Sequence, residues 1–361
     1  MRPRLTGLAT HPEPGLEAPC LHRAAGRSDL PDRDPARFAD RIRTLPGTIV
    51  KVGLVFILAV IGGPAIAWGP EGHLVVCDLA WDAASPETRQ AIDELLGGGG
   101  REEFVDSCLW ADIVKHDRSH GWSRPWHFIN VHDDATTIDM SRDCPAAGCA
   151  VSAIVQMVGL LRGGPADARV SRSDALRYLT HIVGDLHQPL HAGRARDLDG
   201  NTIRVTLLGE ATTLHRAWDS GLLRQLAPDW RRLARHLRSW RPPTGDITLD
   251  PLVWAAGSHT LAIDEAYPPA ADGHLDRDDV KVTRPILEAR LALAGARLAA
   301  LLDRVLIDPD TSEPPFWVGS RHGTVFHHPR CRDAAAIAPP NLIVFSPRPK
   351  ARRLHRGCPR R

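Results

Sequence analysis

Two histidine–aspartate pairs constrain this chain more than any other feature. His181 and Asp185 lie four residues apart in Leu179-Thr-His181-Ile-Val-Gly-Asp185-Leu-His187-Gln-Pro-Leu-His191, and His215 and Asp219 lie four apart in Leu214-His215-Arg-Ala-Trp-Asp219. On a helix, residues i and i+4 share one face. Two such pairs on facing, otherwise apolar helices are how bundles place metal ions in their interiors. Imidazole plus carboxylate without thiolate suits zinc in a catalytic role. Pro189 ends the first helix, so His191 can fold back toward the same site. His187 is six residues from His181 and points about 120° away around the helix, which reads as a packing histidine or one that supports a ligand from behind.

The surrounding sequence supplies a helical frame. Apolar residues recur at helical spacing through Gly72–Leu96, Ala150–Leu161, Arg172–His187, Thr213–Leu226, Trp230–Trp240, Pro251–Ala266 and Val282–Leu306. Pro86 should split the first of these into two helices with Ser85 as cap, and Gly97–Gly100 should end it. Ser171 or Ser173 can cap the third stretch. Only Thr202–Leu208 alternates like a strand or hairpin. These patterns predict an all-α, bundle-like single domain over 68–306, with a metal cleft and a short irregular or β insert.

Charge is partitioned along the 361 residues: +3 over 1–67, −7 over 68–306 and +6 over 307–361. An acidic central domain is not what a charge-steered nucleic-acid binder should look like, unless bound divalent cations reverse the local field. The longest apolar run, Val52–Ile61, is too short to span a bilayer as a helix. With Lys51 before it and Ala65-Ile66-Ala67 after it, 50–67 reads as a secretory signal cleaved to leave Trp68 first. Residues 1–49 then form a non-native or disordered extension, and translation is expected to begin near Val50. The expected destination is the periplasm or the medium, with no stable membrane association after cleavage. Cysteine usage agrees with export. Cys144-Pro-Ala-Ala-Gly-Cys149 suits a tight-loop disulfide; whether Cys77 and Cys108 pair is left open, because sequence does not set their separation in space. The Pro- and Arg-rich 307–361 reads as a disordered or weakly ordered tail, in which Phe316-Trp317 and Leu342–Phe345 are candidates for local docking.

Taken in order, the central motifs resemble the zinc-dependent single-strand-specific nucleases, the S1/P1 family, which shares its fold with bacterial zinc phospholipases C. The resemblance runs from Trp68 to about Leu306. Its carriers are Trp68 and His73 in Trp68-Gly-Pro-Glu-Gly-His73, Asp112 and Lys115 in Trp110-Ala-Asp112-Ile-Val-Lys115, His127 in Trp126-His127-Phe128-Ile-Asn130, then His181, Asp185, His191, His215 and Asp219, with Gly200-Asn201 between the last two ligand segments. It implies three zinc ions: one on Asp112, His127, His181 and a bridging Asp185; a second on His191, His215 and Asp219; a third on His73, Asp185 and the free α-amino nitrogen and carbonyl of Trp68. A peptide-linked nitrogen is a poor metal ligand, so signal cleavage should complete the third site.

The same resemblance implies hydrolysis of single-stranded DNA and RNA to 5′-phosphate products, with 3′-nucleotidase activity as an extension, by a chain expected to act as a monomer. Asp112, Lys115 and Asp185 are its catalytic residues; Lys115, Phe128, Asn130 and Asn201 are its substrate-binding residues. Lys115, one of four lysines against 41 arginines, would hold the phosphate, and Phe128 would stack on a base. Asn130 stands where some relatives have Asp; an amide donates as well as accepts, so base preference is open. Two alternatives stand beside this reading. One is a phospholipase C of the same fold, disfavoured by Asp219 where those enzymes generally carry Glu and by the longer His191–His215 spacing. The other is a non-catalytic zinc- or nucleic-acid-binding module, disfavoured because no ligand is missing.

Overall fold

Pro86 divides the first helical stretch as its chemistry requires. In the computed structural model, which describes residues 68–242, 247–307 and 313–358, α1 (Pro70–Ala83) and α2 (Pro86–Leu96) meet at Ser85, whose Oγ accepts the Thr88 N–H at 3.1 Å. Gly97 ends α2 at φ 87°, a left-handed conformation that favours glycine. The expected signal segment 50–67 and the extension before it lie outside the described residues.

The short helices α3 (Gly100–Ser107), α4 (Trp110–Val114) and α5 (Met140–Asp143) lead to α6 (Ala150–Leu161) and α7 (Arg172–Asp185). Ser171 starts α7 with a capping box: its Oγ accepts the Asp174 N–H at 3.0 Å, and Asp174 Oδ2 accepts the Ser171 N–H at 3.3 Å. A 3₁₀ turn, Pro189–Ala192, follows. The insert is the hairpin β1 (Arg204–Leu207) and β2 (Glu210–Thr213), to which β3 (His274–Leu275) adds a parallel edge. Then come α8 (Leu214–Arg216), α9 (Trp230–Leu237), α10 (Pro251–Leu261) and the long α11 (Arg277–Leu306). α1 packs along α11 and α6 along α7. Gly295 permits the first approach, since a Cβ there would stand 2.7 Å from Leu79 Cβ and 3.2 Å from the Val76 carbonyl. Among the described residues no helix is long and apolar enough to cross a membrane.

Four helix expectations need correction. The stretch expected over Pro251–Ala266 is α-helical only to Leu261 and ends in a π turn, Ala262–Ala266. Thr213–Leu226 is not one regular helix: α8 passes into a π turn, Ala217–Gly221, closed by Leu222 N–H to the Ala217 carbonyl at 2.8 Å. At Gly221 a Cβ would stand 2.5 Å from Leu207 Cδ2, so the turn presses against β1. The helix expected over Trp230–Trp240 stops at Leu237. α11 starts at Arg277 rather than Val282, because Asp276 accepts from the Asp278 and Asp279 N–H groups at 2.7 and 3.0 Å; Pro285 then lies inside the helix.

Residues 313–358 depart furthest from expectation. They are not a disordered tail: β4 (Trp317–Ser320) pairs antiparallel with β6 (Leu342–Phe345), β5 (Val325–Phe326) pairs parallel with β7 (Arg353–Leu354), and α12 (Arg332–Ala335) lies between. Phe316, Val318, Leu342 and Val344 are buried in the same apolar cluster as α1, α6 and α11. Packing against the helical body orders this segment, not a periodicity of its own.

Two disulfides lock the body, Cys144–Cys149 and Cys77–Cys108. The second closes a separation of 31 residues, which by chain entropy alone stabilises the fold by roughly 3–4 kcal/mol. His187 packs as expected: it is buried, its Nδ1 meets the Val183 carbonyl at 2.7 Å and its Nε2 meets Arg297 at 3.0 Å.

Candidate metal centre

The last turn of α7 carries His181 and Asp185 side by side into the interior. Asp185 is fully buried, and its two oxygens serve different neighbours. Oδ2 lies 2.9 Å from His127 Nδ1 and 3.3 Å from His181 Nε2; Oδ1 lies 3.2 Å from His73 Nε2, on α1. Asp112 Oδ1, on α4, lies 3.3 Å from His181 Nε2 and 3.6 Å from His127 Nδ1. Zinc bonds of about 2.0–2.1 Å place tetrahedral ligand atoms about 3.3–3.4 Å apart. The contacts joining Asp112, His127, His181 and Asp185 bracket that edge.

A second group forms beside the first. His215, on α8, places Nε2 3.3 Å from Asp219 Oδ2, and His191 Nε2 lies 3.9 Å from Asp219 Oδ1. The π turn therefore preserves the i,i+4 pairing that a regular helix was expected to give. Trp68 is buried, and the N–H of Gly69 donates to the Asp219 carbonyl at 2.7 Å. The start of the described chain thus lies against the Asp219 segment, with His73 about one turn further along α1.

Backbone carbonyls aim the imidazoles. Nδ1 of His181 meets the Cys108 carbonyl at 2.7 Å, that of His191 the His127 carbonyl at 2.6 Å, and that of His215 the Asp199 carbonyl at 2.6 Å. A proton on each Nδ1 leaves Nε2 with its lone pair directed into the site. The Cys77–Cys108 disulfide holds the carbonyl behind His181, which ties that crosslink to the site.

These donors fit metal ions better than they fit one another. Nε2 of His73, His181 and His191 and Oδ1 of Asp185 are buried without a hydrogen bond. Each such group costs about 1–3 kcal/mol if left unsatisfied, and such atoms in both donor groups call for cations. The electrostatics agree. Burial disfavours a charged His181, yet Asp185 and Asp112 outweigh it and hold that imidazole up to about 10, so the carboxylates demand positive charge between them. Asp185 and Asp112 stay well below the usual carboxylate range despite burial, chiefly through His181. Burial holds His127 down to about 4, and burial with His191 beside it holds His215 down to about 3, which keeps both imidazoles neutral and able to ligate. Burial pushes Asp219 well above the usual range, against a 2.6 Å hydrogen bond from Gln188 Nε2.

The site opens on a cleft of about 380 Å³ walled by Lys115, Phe128, Asn130, Leu198 and Asn201 beside His127, His191 and His215. Lys115 is buried, with Nζ 2.5 Å from Asp112 Oδ1. Phe128 is half-buried on the wall, between the core residues Trp126 and Ile129. The Asn130 amide nitrogen, turned toward Asp199, donates to Oδ2 at 2.6 Å. Asn201 Nδ2 donates to the Leu198 carbonyl at 2.8 Å.

Sequence reasoning missed four contributors. Gln188 holds Asp219, Asp199 holds both His215 and Asn130, and His116 and Arg124 line the cleft. Only the run Asp197–Gly200 hinted at a built turn: Leu198, Asp199 and Gly200 adopt φ of 51°, 60° and 83° in succession.

The sequence profile described as S1/P1 Nuclease matches residues 68–307. Endonuclease 4 of Arabidopsis thaliana is 30% identical over 281 residues, covering 70% of this chain and 93% of that protein. Nuclease S1 of Aspergillus oryzae is 29% identical over 269 residues, 67% of this chain and 93% of its own. Nuclease P1 of Penicillium citrinum is 28% identical over 266 residues, 66% and 97% respectively. The helical frame, the histidine–carboxylate groups and these likenesses agree: the chain belongs to the S1/P1 nuclease family.

Proposed function

We propose that this protein is an exported, zinc-dependent endonuclease that hydrolyses phosphodiester bonds of single-stranded DNA and RNA, breaking P–O3′ to leave 5′-phosphate ends, and that 3′-nucleotides are cleaved by the same centre. Asp112, His127, His181 and Asp185 hold one zinc; His191, His215 and Asp219 hold a second; His73, Asp185 and the backbone nitrogen and carbonyl of Trp68 hold a third. Zinc supplies Lewis acidity, stabilising charge on phosphoryl oxygens and lowering the pKa of water toward roughly 7. The observation that carries the reading is that both histidine–carboxylate groups border one cleft with an aromatic wall.

The chain's own residues account for the rest. Asp185 faces His127 and His181 with one oxygen and His73 with the other, which supports a bridging role. The Lys115 ammonium, held at Asp112, offsets negative charge gained by the phosphate. Phe128 offers a face to an unpaired base, whereas bases stacked in a duplex present none. With its nitrogen committed to Asp199, Asn130 has its carbonyl oxygen left to accept from a base. Cleavage after Ala67 frees the amine of Trp68, and the burial of Trp68 beside the Asp219 segment supports its use as a ligand.

Parallel assays of the mature chain on single-stranded DNA, RNA, duplex DNA and phosphatidylcholine test this function. Single-strand cleavage leaving 5′-phosphates is expected. Lipid hydrolysis without nucleic-acid cleavage would overturn it.

A further inference from the structure

Beyond the family-matched residues 68–307, the C-terminal segment gathers a second kind of donor set. β5 and β7 run parallel with Val325 opposite Arg353 and Phe326 opposite Leu354. Carried one residue on, that register sets His327 beside His355; their rings stand 4.8 Å apart, and the His355 N–H donates to the Phe326 carbonyl at 2.9 Å. Each histidine is followed by a cysteine in a tight turn. Cys331 caps α12, with its N–H on the His328 carbonyl at 2.9 Å, and Cys358 donates its N–H to the His355 carbonyl at 3.2 Å. The result is His-x3-Cys and His-x2-Cys, two close pairs brought together by one parallel bridge.

We propose that His327, Cys331, His355 and Cys358 form a structural zinc site that holds the C-terminal segment in the shape that seats on the nuclease domain. One donor atom from each of the four lies within 4.8 Å of the others. Cys358 Sγ and His327 Nδ1 are 3.5 Å apart; zinc bonds of about 2.3 Å to sulfur and about 2.05 Å to nitrogen give a tetrahedral edge of about 3.6 Å. His327, Cys331 and Cys358 are buried, and both thiols are free, unlike the four cysteines of the helical body. Two thiolates and two imidazoles in tetrahedral array select zinc over harder cations, and four protein ligands close the site to substrate.

The segment has reason to need such a clamp. Its sheets are two-stranded, and β5 and β7 are two residues each, too little to stand alone. The ligand loop 327–331 also presses on the end of α6: a Cβ on Gly159 would stand 2.8 Å from the Pro329 carbonyl oxygen, and one on Gly164 would stand 3.1 Å from Arg330 Cα. A metal that fixes this loop fixes its seat on the helix that packs against α7.

The mature chain loaded with cobalt(II) provides the test, because a sulfur-to-cobalt charge-transfer band arises only from thiolate ligands and the nuclease centre has none. We expect that band in the full chain and its loss in the variant combining Cys331→Ser with Cys358→Ser, together with the loss of one zinc equivalent per chain by elemental analysis. Thiol titration of the metal-stripped, denatured chain without reductant should find two free thiols. Absence of the band in the unaltered chain, or a Cys331–Cys358 disulfide by mass spectrometry, would overturn the proposal. Both measurements use the unaltered chain, so they stand even if the double variant does not fold, and neither depends on nuclease activity.

Discussion

Removing the ring of Phe128 isolates the aromatic contribution to substrate choice. The side chain is half-buried on the cleft wall, and its backbone is fixed on both sides. The Phe128 carbonyl accepts the Ala150 N–H at 3.0 Å, and the neighbouring Ile129 N–H donates to the His191 carbonyl at 2.8 Å. Phe128→Ala should therefore leave His127 and His191 in place. A base stacked on an aromatic side chain contributes about 1–3 kcal/mol, and 1.36 kcal/mol corresponds to tenfold in rate. On that basis kcat/KM for single-stranded DNA falls by about 5- to 150-fold. An abasic oligonucleotide carries the same diesters without bases, so its hydrolysis should change by less than about twofold, and Phe128→Trp should restore DNA cleavage. Steady-state kinetics on the two substrates, with a thermal melt to confirm folding, decide the matter. An equal loss on both substrates would refute the stacking argument, as would full activity of the alanine variant on DNA.

Other consequences concern the ligands and the chain start. Asp185→Asn should abolish hydrolysis and remove two metal equivalents, because its oxygens face two donor groups; full metal content by elemental analysis would contradict bridging. His127 and His215 are held down to about 4 and about 3 by burial, from an ordinary 6.5, so unfolding takes up protons on both as pH falls below 6.5. Their contribution to the stability of the metal-stripped chain is therefore full above pH 6.5 and lost toward pH 4, by about 2 kcal/mol per histidine between 6.5 and 5, while His181, held up to about 10, contributes in the opposite sense; an equal change in urea midpoint from pH 7 to pH 5 in the unaltered chain and in a His215→Gln variant would contradict this. A chain with one extra residue before Trp68 should bind one metal equivalent fewer than the mature form, and identical metal content would remove Trp68 from the ligand set.

Much of this centre was legible in the sequence because its chemistry is local. His181–Asp185 and His215–Asp219 are read from spacing alone, and the caps at Ser85 and Ser171 stand where the helices begin. Cys144 and Cys149 could be paired because a loop that short leaves little freedom. What stayed hidden depends on contacts between distant segments. The π turn at Ala217–Gly221 seats Gly221 against Leu207, a contact between distant segments that no periodicity records. Gln188 and Asp199 hold ligands from behind, through an amide and a backbone carbonyl that carry no motif. Residues 313–358 look unordered in composition and are ordered by burying Phe316, Val318, Leu342 and Val344 against the helices. Asn201, a substrate-binding residue by resemblance, lies on the cleft wall, and the hydrogen bond from its amide to the Leu198 carbonyl carries no motif either.

Anomalous diffraction at the zinc edge from crystals of the mature, zinc-loaded chain tests the central claim most directly. The account predicts one peak among Asp112, His127, His181 and Asp185, one among His191, His215 and Asp219, and one beside His73 and Trp68. A cleft without anomalous density, in crystals of chain that cleaves single strands, would contradict it.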